Sequence, residues 1–134
     1  MSNVIMGSLM NTILKTILIE CGCTTDKYLT DIENFNPGMD SRSECYLTLT
    51  RNNSGENFII LTKTIHLNWA ESVMNIDRIV EYLNKRFNFR LHEYKLILHA
   101  YFKSIELDQF YEIKTDRSNS LIKLSLEKFE KMLK

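Results

Sequence analysis

Apolar and polar residues alternate from Glu44 to Leu67, and the rest of the chain can be arranged around that stretch. Cys45, Leu47 and Leu49 alternate with Tyr46, Thr48 and Thr50, which is the period of a half-buried strand. Asn53-Ser54-Gly55 follows, a run that tolerates positive φ and lets the chain reverse. Phe58 to Leu61 is apolar at both parities, which predicts a central strand covered on two faces. The segment is therefore expected to be a β-hairpin, with Cys45 set against a residue near Leu61 or Thr62.

Upstream, the apolar residues from Val4 to Cys21 come in pairs: Ile5-Met6, Leu9-Met10, Ile13-Leu14 and Ile17-Leu18. Two apolar then two polar residues approximate the helical period, so this is an amphipathic helix. The polar pairs break any continuous apolar run, which argues against a signal peptide or a membrane span. Lys15 is the one cation on its polar side, too few for a membrane-surface helix. The helix is expected to dock on its own sheet, with a homodimer through this helix as the alternative.

Thr24 to Ser43 reads as a loop broken by Asn36-Pro37-Gly38, a turn signal. Tyr28, Leu29, Ile32 and Phe35 are spaced like one short helical turn within it. Beyond the hairpin, Asn68 and Glu71 form a capping box. Trp69, Val73, Ile76, Val80, Leu83 and Phe87 then recur at steps of four and three, which predicts a long central helix packed on the sheet. Leu91 to Ile105 fits a helix or a strand; the aromatic content and the break at Asn88 favour a strand from Tyr94 to Lys103. On that strand Tyr94, Leu96, Leu98, Ala100 and Phe102 share one face, with His99 on the other.

Phe110–Thr115 and Leu121–Leu124 flank the polar turn Asp116 to Ser120, and so read as two further strands. Ser125 caps a short last helix, Leu126 to Leu133. The whole predicts a single α+β domain over residues 1–134. Its sheet is mostly antiparallel, of about five strands, with an N-terminal amphipathic helix, a long central helix and a short C-terminal one.

Composition narrows the function classes. The 134 residues hold 17 basic and 17 acidic side chains, and a chain of zero net charge is a poor generic nucleic-acid binder. Three cysteines make no disulfide framework, so a reducing, cytoplasmic setting is expected with Cys21, Cys23 and Cys45 as apolar filler. No phosphate-binding loop, dinucleotide fingerprint, zinc-protease motif or nucleophile elbow occurs. His66, His92 and His99 lack metal-ligand spacing, and Cys21-Gly22-Cys23 is too tight for a zinc knuckle. His66 is also too far along the hairpin to pair with Cys45. The chain is read as a non-enzyme with no metal site and no cofactor.

Charge is uneven, and the functional expectation rests on that. Glu20 to Glu44 carries six acids against two bases, a field that suits a basic partner such as a nuclease toxin. Asp26, Asp31, Glu33 and Asp40 would steer association, and Tyr28 and Phe35 would be buried as anchors. The leading expectation is therefore a small protein-binding inhibitor of the immunity or antitoxin kind. The alternatives are a nucleic-acid-associated protein using Lys85, Arg86, Arg90, Lys95 and Lys103 with Tyr94 and Tyr101 for stacking, and a self-associating structural subunit.

Overall fold

The computed structural model describes residues 12–30, 45–65 and 76–134. In chain order the elements are α1 (Thr12–Glu20), β1 (Thr24–Thr30), β2 (Cys45–Arg51), β3 (Asn57–Ile65), α2 (Ile76–Arg86), β4 (Lys95–Phe102), β5 (Leu107–Lys114), β6 (Ser120–Leu124) and α3 (Leu126–Leu133). All six strands join one sheet in the order β1-β2-β3-β4-β5-β6. Every neighbouring pair is antiparallel except β3–β4. A parallel pair needs a long crossover, and the stretch containing α2 supplies it. The architecture is α+β, built from two three-stranded meanders set side by side.

The expected hairpin forms, but β2 is not half-buried: Thr48 and Thr50 are 1% and 2% exposed, because they lie beside Ile60 and Phe58 on the face that α1 and α3 cover. Leu47 faces Leu61 and Leu49 faces Ile59 across the β2–β3 ladder. Cys45 sits opposite Lys63, slightly further along than expected; His66 lies outside the described residues. Phe58, Ile59, Ile60 and Leu61 are all fully buried, because β3 is interior to the sheet and helices cover both faces. On one face Ile79, Val80 and Leu83 of α2 pack over Leu47, Ile59, Leu61, Leu98 and Tyr111. On the other, Leu14, Ile17 and Leu18 of α1 and Phe129 and Leu133 of α3 pack over Phe58, Ile60, Ile97 and Phe110. Each such Leu or Ile contributes roughly 1.5–3 kcal/mol on leaving water.

The stretch expected to hold a loop with a helical turn instead opens with a strand. Thr24 to Thr30 pairs with β2 from Arg51 back to Tyr46, and the Thr50 hydroxyl donates to the Thr24 carbonyl at 3.0 Å. The edge of β2 offers a full row of backbone partners, and threonines at 24, 25 and 30 suit a pleated surface. That pairing places Tyr28 and Leu29 in a strand; Ile32 and Phe35, the rest of the expected helical turn, lie outside the described residues. The start of the central helix, with Asn68, Trp69 and Glu71, lies outside the described residues, as does everything before Thr12.

Helix ends follow from named residues. Gly22 adopts φ 74° and closes α1 with Gly22 N–H to the Ile19 carbonyl and Cys23 N–H to the Leu18 carbonyl, both 3.0 Å. This paired closure needs a left-handed residue after the last turn. A Cβ at position 22 would also meet the Asn53 amide at 3.1 Å. Ser125 caps α3, its hydroxyl accepting from the Lys128 N–H at 3.1 Å.

Candidate functional site

The expected partner-binding residues fall into two groups. Asp26 and Tyr28 belong to the edge strand β1, with Asp26 at the register shift between Thr25 and Lys27 and Tyr28 opposite Thr48. Asp31, Glu33, Phe35 and Asp40 lie outside the described residues. They belong to the connection 31–44, which follows Thr30, the last described residue of β1, paired with Tyr46. What reads in sequence as one acidic loop is thus a strand followed by a shorter acidic connection. Lys63, Ala100 and Gln109 continue the same end of the sheet across β3, β4 and β5.

The basic alternative is dispersed by its own neighbours. Lys85 meets Glu81 at 3.1 Å, Lys95 meets Glu56 at 3.4 Å, and the Arg90 guanidinium donates to Glu93 at 2.8 Å. The pairing with Arg90 holds the Glu93 carboxyl below its ordinary range. Tyr94 packs against the α2 core, its ring 5.7 Å from Phe87. Lys95 and Lys103 bracket β4, so they stand about 26 Å apart at ~3.3 Å per residue.

The sequence reading gave His99 no role, and the structure gives it a specific one. His99 is fully buried, because α1 and α3 cover the face it shares with Ile97. Its Nδ1 lies 3.2 Å from the Thr62 hydroxyl and its Nε2 lies 2.6 Å from Asp108 Oδ1. A carboxylate can only accept, so Nε2 donates to Asp108, and the Thr62 hydroxyl serves Nδ1 in either role. The ring stacks on Phe110 at 4.7 Å, and Phe110 on Phe129 at 4.3 Å. Hydroxyl, imidazole and carboxylate in series resemble a nucleophilic triad only in composition. Thr62 and His99 are both 0% exposed, so the hydroxyl is not presented to solvent, and the trio is a polar tie joining β3, β4 and β5 that is open only at Asp108.

Asp108 opens outward from this tie. It lines a pocket of about 270 Å³ with Ile13, Phe110, Leu124, Ser125 and Leu126, at the junction of α1, β5, β6 and the start of α3. A lone histidine of unfavourable parity gives no sequence signal for this; a second covered face was the missing fact.

The cysteines fasten another corner. The Cys21 thiol points to the Glu130 carbonyl at 3.7 Å, the Cys23 thiol donates to the Leu133 carbonyl at 3.3 Å, and the Asn52 amide donates to the Met132 carbonyl at 3.0 Å. Together they satisfy the last carbonyls of α3, which the helix cannot satisfy itself. Burial pushes both thiols above their ordinary range, with Glu130 adding to the effect at Cys21. Both are free thiols. Among the described residues no three His, Cys, Asp or Glu side chains converge as a metal site, and no helix is long and apolar enough to cross a membrane.

No protein-family model, curated protein or solved structure matches the chain.

Proposed function

We propose that this is a cytoplasmic protein-binding inhibitor, of the immunity or antitoxin kind, that engages a basic partner through the acidic connection between β1 and β2. The observation carrying this reading is that the acid-rich residues 31–44 join β1 to β2, neighbouring strands of one six-stranded sheet. That connection carries Asp31, Glu33, Asp40 and Glu44 against the one base Arg42. A rigid scaffold presenting a charged connection is a common way to position binding residues, and complementary charge accelerates encounter and rejects wrong partners. Two further observations support it. At least three of the five cations of the nucleic-acid reading face carboxylates, and the hydroxyl of the hydroxyl–imidazole–carboxylate series is fully buried. Free thiols at Cys21 and Cys23 suit a reducing compartment.

As for self-association, α1 spends Leu14, Ile17 and Leu18 on its own sheet and leaves Ile13 and Ile19 exposed at 46% and 68%. The test is affinity capture from the source cell with the wild-type chain and an Asp31→Lys/Glu33→Lys variant as baits. A basic protein retained by the first and lost by the second is the expected result. Capture of nucleic acid instead, lost on Lys95→Glu/Lys103→Glu, contradicts the proposal, and so does an identical set of proteins on both baits.

A further inference from the structure

We infer that the pocket beside Asp108 is a binding site for a single organic cation, an alkylammonium or alkylguanidinium group on an aliphatic stem. The inference does not rest on the acidic connection or on any partner of it. Its walls are Ile13, Phe110, Leu124 and Leu126, and its one acidic group is Asp108. Pockets that hold small ligands share this make-up: apolar walls and a few placed polar groups. The Asp108 side chain is 15% exposed, so its charge is largely shielded from water. One carboxylate oxygen accepts from His99, and no other partner for Asp108 is present among the described residues. His99 is itself locked by Thr62 and by the Phe110 ring, so the carboxylate is held in one orientation before any ligand arrives. A prearranged, largely buried carboxylate beside apolar walls favours a charged donor over a neutral one.

Two positive groups oppose this and must be weighed. Lys123 lies at the pocket rim, but it pairs with Tyr111, on the opposite sheet face from the Phe110–Leu124 pair. The N-terminus of α3 at Ser125 and Leu126 presents the equivalent of about half a positive charge, against the full negative charge of Asp108. The carboxylate therefore sets the sign of the site. The volume of about 270 Å³ suits a group of a few heavy atoms and an alkyl stem lying along Ile13 and Leu126.

Methyl NMR on the intact chain tests this by following Ile13 and Leu126 during titration with n-butylammonium, n-butylguanidinium and n-butanol. The expected result is saturable shifts with either cation and roughly tenfold weaker binding of the alcohol, the margin a charge-assisted hydrogen bond gives over a neutral one. Asp108→Asn keeps an acceptor for His99 while removing the charge, and should abolish the preference for the cation. The comparison of cation with alcohol stands in the wild-type chain even if that variant fails to fold. A lysine blocked at both backbone ends serves as a further probe. Equal binding of blocked lysine would identify a protein side chain as the source of the cation, and its rejection would identify a free amine. Equal binding of alcohol and cations, no saturable shift with either cation, or an undiminished preference in folded Asp108→Asn would overturn the inference.

Discussion

Replacing Thr62 by Val should destabilise the protein by about 1–3 kcal/mol, although the two side chains have nearly the same shape. The hydroxyl is fully buried and lies 3.2 Å from His99 Nδ1. Its removal leaves a buried ring nitrogen unsatisfied, and that desolvation cost is what the range represents. His99→Phe preserves a ring over Phe110, stacked at 4.7 Å in the wild type, but strips both Thr62 and Asp108 of their partner. Its cost should be about 2–3 kcal/mol, below that of a fully buried ion pair because Asp108 retains some exposure. The double variant has neither orphan at position 62 nor at position 99, so its loss should be smaller than the two single losses added, by about 0.5–3 kcal/mol. Urea unfolding followed by far-ultraviolet circular dichroism measures all four proteins. With m near 1–3 kcal/mol/M, the Thr62→Val midpoint should fall by roughly 1 M at an unchanged slope. Single losses below about 0.5 kcal/mol that simply add would refute the claim that Thr62, His99 and Asp108 act as one unit.

Other consequences are open to simpler tests. Leu83→Ala should cost about 2–5 kcal/mol, because Leu83 is fully buried on the sheet-facing side of α2 and its loss leaves a cavity; exposed Arg78→Ala should cost less than about 1 kcal/mol, and similar urea midpoints would contradict the observed helix face. Asn52→Ala should lose about 2–3 kcal/mol, since one buried side chain bonds the Met132 carbonyl, the Glu56 carboxylate and the Glu56 N–H at about 1 kcal/mol each; a neutral outcome in thermal melts would show that the turn and α3 hold without it. The raised thiols of Cys21 and Cys23 should alkylate far more slowly at pH 8 in native protein than in urea. Because their folded range lies above the ordinary 9.0, the folded state holds its protons longer, so stability is intact below about pH 9 and falls as pH rises through the folded value. Alkylation at equal rates in both states would remove the basis for that pH dependence.

Periodicity made most of the scaffold legible, and pairing across the sheet explains what it missed. Cys45 to Leu61 declared itself because alternation, a turn run and a two-sided apolar strand agree on one structure. Tyr94 to Lys103 is ambiguous by period and leans to a strand on its aromatic content and the break at Asn88; the strand forms over Lys95–Phe102, with Leu96, Leu98 and Ala100 facing α2. β1 was not legible, because an edge strand of threonines, charges and one bulge has no apolar alternation and gains its order from β2. His99 was misjudged for a related reason. Its face reads as polar along β4 alone and is covered only because α1 and α3, distant in sequence, meet there. The roles of Cys21 and Cys23 depend on a helix end more than a hundred residues away, which no local pattern encodes. Of the expected binding residues, Asp26 and Tyr28 are placed on the β1 backbone, and the acidic character of 31–44 remains a property of its composition.

The central claim concerns charge at that connection, and the association rate with the captured basic partner tests it most directly. Stopped-flow mixing at increasing salt compares the wild-type chain with Asp31→Lys/Glu33→Lys. Exposed charges act through a field screened beyond about 10 Å at 0.1 M salt. The wild-type on-rate should therefore fall steeply as salt rises. The reversed variant should start slower and show a flat or inverted dependence, with its off-rate changed much less. Equal on-rates and equal salt slopes for the two proteins would contradict the acidic connection as the binding element.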